Sequence, residues 1–180
     1  MYKIISPAQA AALIKDGDCL LINCFLSLGH TDAIHQAIAS RFQKSGHPNN
    51  LTLLASAGYG NREETGLAEA YVRQGAVRRV ITSHYTSMPA TSRLIRENRV
   101  EGYTLPLGSI SHALRAMVSG QKSYLTQLGL GLYVDPRLDG PGMNDISRQE
   151  LVRLVQVDGE EYLKYTLPMP DVCLIKGTAV

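Results

Sequence analysis

The chain has no tryptophan, and aromatic residues make up only 6% of its 180 residues. It therefore has no platform of rings on which nucleic-acid bases could stack. An excess of one charge is also missing. Eighteen lysines and arginines stand against 16 aspartates and glutamates, a formal net charge of +2. Such a balance addresses neither a polyanion nor an anionic bilayer, so no nucleic-acid partner and no membrane partner are expected. Cysteine is scarce. Cys19, Cys24 and Cys173 contain no C-x-x-C pair, which gives neither a disulfide framework nor a zinc cluster. They read as buried or semi-buried thiols in a reducing compartment. The longest apolar stretch, residues 19–28, is broken by Asn23 and Ser27 and is too short to span a bilayer. The first residues lack a long apolar core with a cleavage site. The expected location is cytoplasmic, and the glycosylation-type triplet Asn50-Leu51-Thr52 is a chance match.

Several catalytic signatures are absent too. Gly58-Tyr59-Gly60 follows an apolar run, but Glu63 occupies the place of the third glycine of a dinucleotide fingerprint; Gly129-Leu130-Gly131 has Val134 there. No Gly-Lys-Ser/Thr exists for a phosphate loop, and no G-x-S-x-G elbow presents a serine nucleophile. Ser27 follows the first predicted strand with nothing to tie it to a base. His30 and His35 are five apart, not the i, i+4 pair that sets two imidazoles on one helix face, so no metal site is expected. The adjacent pairs Glu63-Glu64 and Glu160-Glu161 point apart on a helix or strand and read as solvated charge. Arg78, Arg79, Arg93, Arg96 and Arg99 read as a solvated basic face, or as a modest pull on phosphorylated ligands.

What is present is an alternation of short apolar runs and amphipathic segments. Ser6-Pro7 is an N-cap followed by a first-turn proline, starting a helix that stops near Asp16-Gly17. Strands are predicted over residues 19–25, 51–57, 79–83 and 100–105, and helices over 32–42, 64–73, 89–98 and 109–118. This pattern predicts an α/β fold, an open and mostly parallel sheet with helices on both faces. In such sheets ligands bind at the carboxyl ends of the strands, here the loops at 25–29, 56–60, 83–89 and 106–108. His84 draws attention because it lies just beyond the third strand, on that side. The last third is different. Residues 126–135 read as extended and glycine-punctuated. Ser147 and Glu150 read as a capping box before a short helix. Residues 154–165 read as a hairpin about Asp158-Gly159, and 171–176 as a last strand.

The residues in order carry a further signal. The stretches 50–54, 57–60 and 75–81, then His84, Pro89 and 94–98, resemble family I coenzyme A transferases of the acetate and 3-oxoacid type. The resemblance continues through Leu105-Pro106-Leu107-Gly108, 111–115 and 128–131. Its most specific block is Tyr133-Val134-Asp135-Pro136-Arg137 with Met143-Asn144, followed by 158–163 and 175–178. It covers nearly the whole chain.

The resemblance implies a protein that helps move coenzyme A between short-chain carboxylic acids. An acyl-CoA thioester is attacked by a glutamate, and a glutamyl-CoA intermediate follows. No bound cofactor is implied, since coenzyme A is itself a substrate. It further implies that residues 1–180 are a single N-terminal domain, with the nucleophile in a second domain or beta subunit and no catalytic residue in this chain. Acyl-CoA and carboxylate are the implied ligands, and a homo-oligomer the implied assembly. Phe25, Gly29, Gly58, Gly60, His84, Gly108 and Asn144 are the implied cleft residues. Two departures stand out. Asn23-Cys24-Phe25-Leu26-Ser27-Leu28-Gly29 replaces the family's glycine-rich segment, and Leu107 stands where relatives carry a glutamine. Leu107 offers no hydrogen bond. The alternative reading is a non-catalytic module that keeps the fold.

Overall fold

The structure, a computed structural model, describes residues 3–26 and 28–177. Ser27 and Thr178, singled out above, lie outside the described residues. The chain runs α1 (Pro7–Leu13), β1 (Cys19–Ile22), α2 (Asp32–Ser45), β2 (Leu51–Leu54), α3 (Glu69–Gln74), β3 (Val77–Thr82), α4 (Pro89–Arg96), β4 (Glu101–Thr104) and α5 (Leu107–Val118). It then runs β5 (Tyr124–Thr126), β6 (Val152–Val157), β7 (Glu160–Tyr165) and β8 (Val172–Leu174).

Five strands form a parallel sheet in the order β4-β3-β2-β1-β8. All four residues of β2 are buried, as an apolar strand covered on both faces must be. From β1 to β4 the chain always steps in one direction, which puts the crossover helices on one face. Helices α1 to α4 pack as a continuous layer there, around Leu20, Ile22, Ile38, Leu53 and Val80. The apolar stripe of α2 holds the helix to this face, with Ile38 buried and Ile34, Ala37 and Phe42 packed against the core. Burying one such side chain contributes roughly 1.5–3 kcal/mol.

The opposite face is built differently. It carries α5 and a three-stranded antiparallel sheet, β5-β7-β6, over Leu54, Ile81, Tyr103 and Leu105. Helices do lie on both faces, but four lie on one and α5 is alone on the other. Asp158 and Gly159 join β6 to β7 with φ of 51° and 84°, the pair of positive values a two-residue type I′ turn requires.

Three expectations are corrected. No helix follows the 147–150 box. The Ser147 hydroxyl instead accepts from the Gly102 amide at 2.8 Å and donates to Asn144 Oδ1, so its capping capacity is used across the fold. Of residues 126–135 only Thr126 is strand. Gly129 and Gly131 take positive φ and turn the chain, and Asp135 closes the turn by accepting from the Gly131 amide at 2.9 Å. Arg79 is not on a solvated face. It is buried under a 2.6 Å ion pair with Glu101 and lies over the Tyr103 ring. Among the thiols, Cys19 is buried and Cys24 partly so, whereas Cys173 is exposed on β8.

Candidate functional site at the carboxyl edge of the sheet

The loops leaving β1, β2 and β3 are bound to one another. After β1, Phe25 and Leu28 exchange two backbone hydrogen bonds, 3.1 and 2.9 Å, closing a tight turn with Leu26 at φ 51°. The Leu26 amide then donates to the Gly58 carbonyl at 3.1 Å, leaning this turn onto the β2 loop. His30 Nε2 donates to the Leu26 carbonyl and pins the turn from beneath. Gly29 leaves the turn at φ 79°, a conformation side chains resist.

The β2 and β3 loops meet through glycine. A Cβ on Gly58 would lie 2.6 Å from His84 Cε1, so the imidazole fits only because residue 58 has none. The Gly58 amide donates to His84 Nε2 at 3.3 Å. An amide can only donate, so Nε2 is the accepting nitrogen and the neutral ring carries its proton on Nδ1. That Nδ1 is buried with no partner. A Cβ on Gly60 would lie 2.0 Å from the Ser87 carbonyl oxygen, so backbone lies on backbone there. The Arg62 amide donates to the same carbonyl at 2.9 Å. Leu26, Gly60, Asn61, Arg62 and Ser87 line a recess of about 290 Å³ at this junction.

Buried polar atoms are nearly always paired, so orphans ask for a reason. Thr82 Oγ1 at the end of β3 and Ser83 Oγ, His84 Nδ1 and Ser87 Oγ on the loop after it are all buried and unpartnered. Across the sheet, Ser56 and Ser111 share a 3.3 Å hydroxyl contact that ties the β2 loop to α5. Helix α5 begins after Pro106 with no side-chain cap, and nothing lies within 4 Å of a Cβ on Gly108. Leu107, its first residue, is half-exposed, as is Phe25 on the β1 turn, and Leu28 beside it is exposed. The edge therefore combines hydrogen-bonding groups without partners and apolar side chains without cover.

Of the residues named from sequence, Phe25, Gly29, Gly58, Gly60 and His84 sit on three adjacent loops, and Gly108 in the first turn of α5. Asn144 does not join them. Its amide donates to the carbonyls of Ile95 at 2.7 Å and Val100 at 2.9 Å, at the amino end of β4. It fastens the turn-rich segment to the amino edge of the sheet. Sequence reasoning passed over Arg62 and Ser87. An unpartnered hydroxyl has no sequence signature, because it is defined by what surrounds it. Cys24, close to the β1 turn, is pushed up to about 12 by burial and is no thiolate at neutral pH.

Residues 4–180 match the family model described as Coenzyme A transferase. The caffeate CoA-transferase of Acetobacterium woodii is 34% identical over 178 residues, which are 99% of this chain and 34% of that protein. The alpha subunit of acetoacetyl-CoA:acetate/butyrate CoA transferase from Clostridium acetobutylicum is 28% identical over 179 residues, 99% of this chain and 72% of that subunit. Among solved structures, the acyl-CoA transferase YdiF of Escherichia coli O157:H7, in a thioester complex with CoA, superposes with a TM-score of 0.86 at 27% identity. That superposition covers 95% of this chain and 33% of YdiF. The chain thus spans about a third of the length of the first relatives it matches and most of a separate alpha subunit. With the sheet order, the glycine contacts and a family match running from residue 4 to residue 180, the chain belongs to the coenzyme A transferase family.

Proposed function

We propose that this chain is the N-terminal domain of an acyl-CoA:carboxylate CoA-transferase and that it forms one wall of a site completed by a second domain or a beta subunit. The observation that carries this is the span of the family match, residues 4–180, against the third of YdiF that those residues cover. The nucleophilic glutamate belongs to that second domain or beta subunit. Its carboxylate attacks the thioester carbonyl, and the bond to sulfur breaks to release CoA thiolate and leave a mixed anhydride. The thiolate then attacks the glutamyl carbonyl, expelling the donor carboxylate and leaving a glutamyl-CoA thioester. The acceptor carboxylate reverses both steps.

The loops at the carboxyl edge supply position and polarity rather than bonds. His84 Nδ1–H and the hydroxyls of Ser83 and Ser87 are donors without acceptors, suited to an oxyanion or carboxylate oxygen. Phe25, Leu28 and Leu107 offer an apolar edge to an acyl chain. Coenzyme A enters as substrate. Assembly with copies of itself or with a beta chain belongs to the same proposal.

The test is to isolate the native assembly that contains this chain and supply butyryl-CoA with labelled acetate. Labelled acetyl-CoA is expected, with a CoA-mass adduct on a glutamate outside residues 1–180. An assembly that binds acyl-CoA and exchanges no label would point to the fold-retaining, non-catalytic module instead.

A further inference from the structure

The β2 and β3 loops touch through backbone at Gly58 and Gly60, and the side chain between those two glycines reaches a different element. The Tyr59 amide donates to Met88 Sδ at 3.3 Å, and its phenol oxygen lies 3.0 Å from Thr91 Oγ1 in the first turn of α4. Thr91 in turn meets Glu69 of α3. The Glu69 carboxylate accepts from the Ala90 amide at 2.7 Å, from the Thr91 amide at 3.2 Å and from the Thr91 hydroxyl. Tyr59, Thr91 and Glu69 are all at 0% exposure.

The direction of each bond follows from the groups that make it. A carboxylate only accepts, so the Thr91 hydroxyl gives its one proton to Glu69 Oε1. Thr91 Oγ1 is then left to accept, and the Tyr59 phenol is its donor. Burial, and then the Glu69 charge, raise that phenol well above its ordinary value, so it keeps the proton it donates. The three groups form one relay, and a buried partner left unpaired is costly, so each fixes the next. Replacing a buried charged network by apolar side chains of like volume is often neutral or stabilising. Stability alone is therefore a weak reason for this relay, and its use lies in what it places.

Residues 83–88 run from the end of β3 to the start of α4, and α4 has no side-chain cap of its own. The Met88 amide and the Ser92 hydroxyl both donate to the Tyr85 carbonyl at 3.0 Å, which makes the end of this loop continuous with the helix. On the β2 side the Gly58 amide reaches His84 Nε2 at 3.3 Å, and Gly60 lies against the Ser87 carbonyl. Neither loop can shift without the other. We infer that Tyr59, acting through Thr91 and Glu69, is a positioning residue that locks the β2 loop to the start of α4 and so holds the His84 imidazole in one place at the carboxyl edge of the sheet. The effect on turnover rests on the transfer reading, whereas the coupling of the two loops does not.

The experiment compares Tyr59→Phe, Thr91→Val and Thr91→Ser with wild type in the native assembly that contains this chain. Tyr59→Phe removes the phenol oxygen and leaves Glu69 on the α4 amides. CoA transfer from butyryl-CoA to acetate is measured beside amide exchange of residues 57–62 and 83–88. In Y59F and T91V, kcat is expected to fall about tenfold or more while KM for butyryl-CoA stays within about twofold, because a small misplacement near the reacting groups acts on the chemical step rather than on binding. Both loops should exchange faster, and together. Thr91→Ser restores the hydroxyl and should restore both readouts. Wild-type kcat in Y59F, faster exchange in one loop without the other, or T91S as impaired as T91V would each overturn the assignment. A wild-type assembly that transfers no CoA would count against the transfer reading alone, since exchange in the two loops still reads their coupling.

Discussion

His35 is enclosed by protein, with its Nδ1 3.1 Å from the Tyr71 hydroxyl and its ring stacked on that of Tyr71. Burial, and then the His30 ring 5.9 Å away, push it down to about 4. The unfolded chain titrates this group near 6.5, so between about 6.5 and 4 the unfolded state binds more protons. The stabilising contribution is complete above about 6.5 and is lost as the pH falls toward 4, an effect on the order of 3 kcal/mol. Urea midpoints should therefore drop between pH 7 and pH 4.5, and in His35→Gln the drop should be shallower even though the variant is weaker throughout. An unchanged slope in the variant would locate the acid sensitivity elsewhere. Cys24 and Tyr71 behave in the same manner from the other side: burial raises both groups and keeps them neutral.

At the scale of elements, α4 is held by a neighbour. Its N-cap, Met88, has no side chain to cap with. The Glu69 carboxylate of α3 does the work, accepting from the Ala90 amide at 2.7 Å, the Thr91 amide at 3.2 Å and the Thr91 hydroxyl. Tyr59, from the β2 loop, reaches the same hydroxyl at 3.0 Å, so one carboxylate joins two helices and one loop beside the site. Burial raises the Glu69 carboxyl, and its bonds to Thr91 and Ala90 pull it back. Glu69→Gln keeps the shape but loses the charge and one acceptor, at a cost of about 1–3 kcal/mol. A fall in the melting temperature of several degrees is expected, together with altered resonances at Ser87. An unchanged melting curve would mean that α4 is anchored by packing alone.

How legible were these elements? The α2 stripe, the four apolar strands and the Asp158-Gly159 turn were readable because each is decided within a few neighbouring residues. Arg79, Asn144 and Ser147 were not, because their partners lie 22, 49 and 45 residues away. Ser147 shows the difficulty most clearly, since a valid capping pattern lost to a tertiary amide. At the candidate site the glycines and His84 were readable from order and resemblance. The orphan hydroxyls depend on which loops meet.

For the whole molecule, the two faces of the sheet differ in how completely they are covered. The helical layer buries Tyr59, Tyr71 and Leu53 to 0% exposure, whereas the turn-rich segment on the other face leaves Leu128 71%, Leu132 58% and Leu138 58% exposed. Regions with few buried contacts open first. Amide exchange should be slowest in β2 and β3 and fastest, outside the termini, in residues 127–150. Uniform protection across both would contradict the asymmetry.

The pairing of β1 with β8 has a consequence for synthesis. β1 is synthesised well before β8, yet its outer edge is matched only by Val172, Cys173 and Leu174, and the Cys19 amide waits for a carboxylate 152 residues downstream. At about 5–20 residues per second, that interval is roughly 8–30 s. Throughout it, a buried-type strand presents unpaired amides and carbonyls to whatever is near. The nascent chain, rather than the finished protein, is where this fold is most open to wrong pairing. A chaperone that shields residues 19–22 during translation should raise the yield of folded protein more than any change that stabilises the native state.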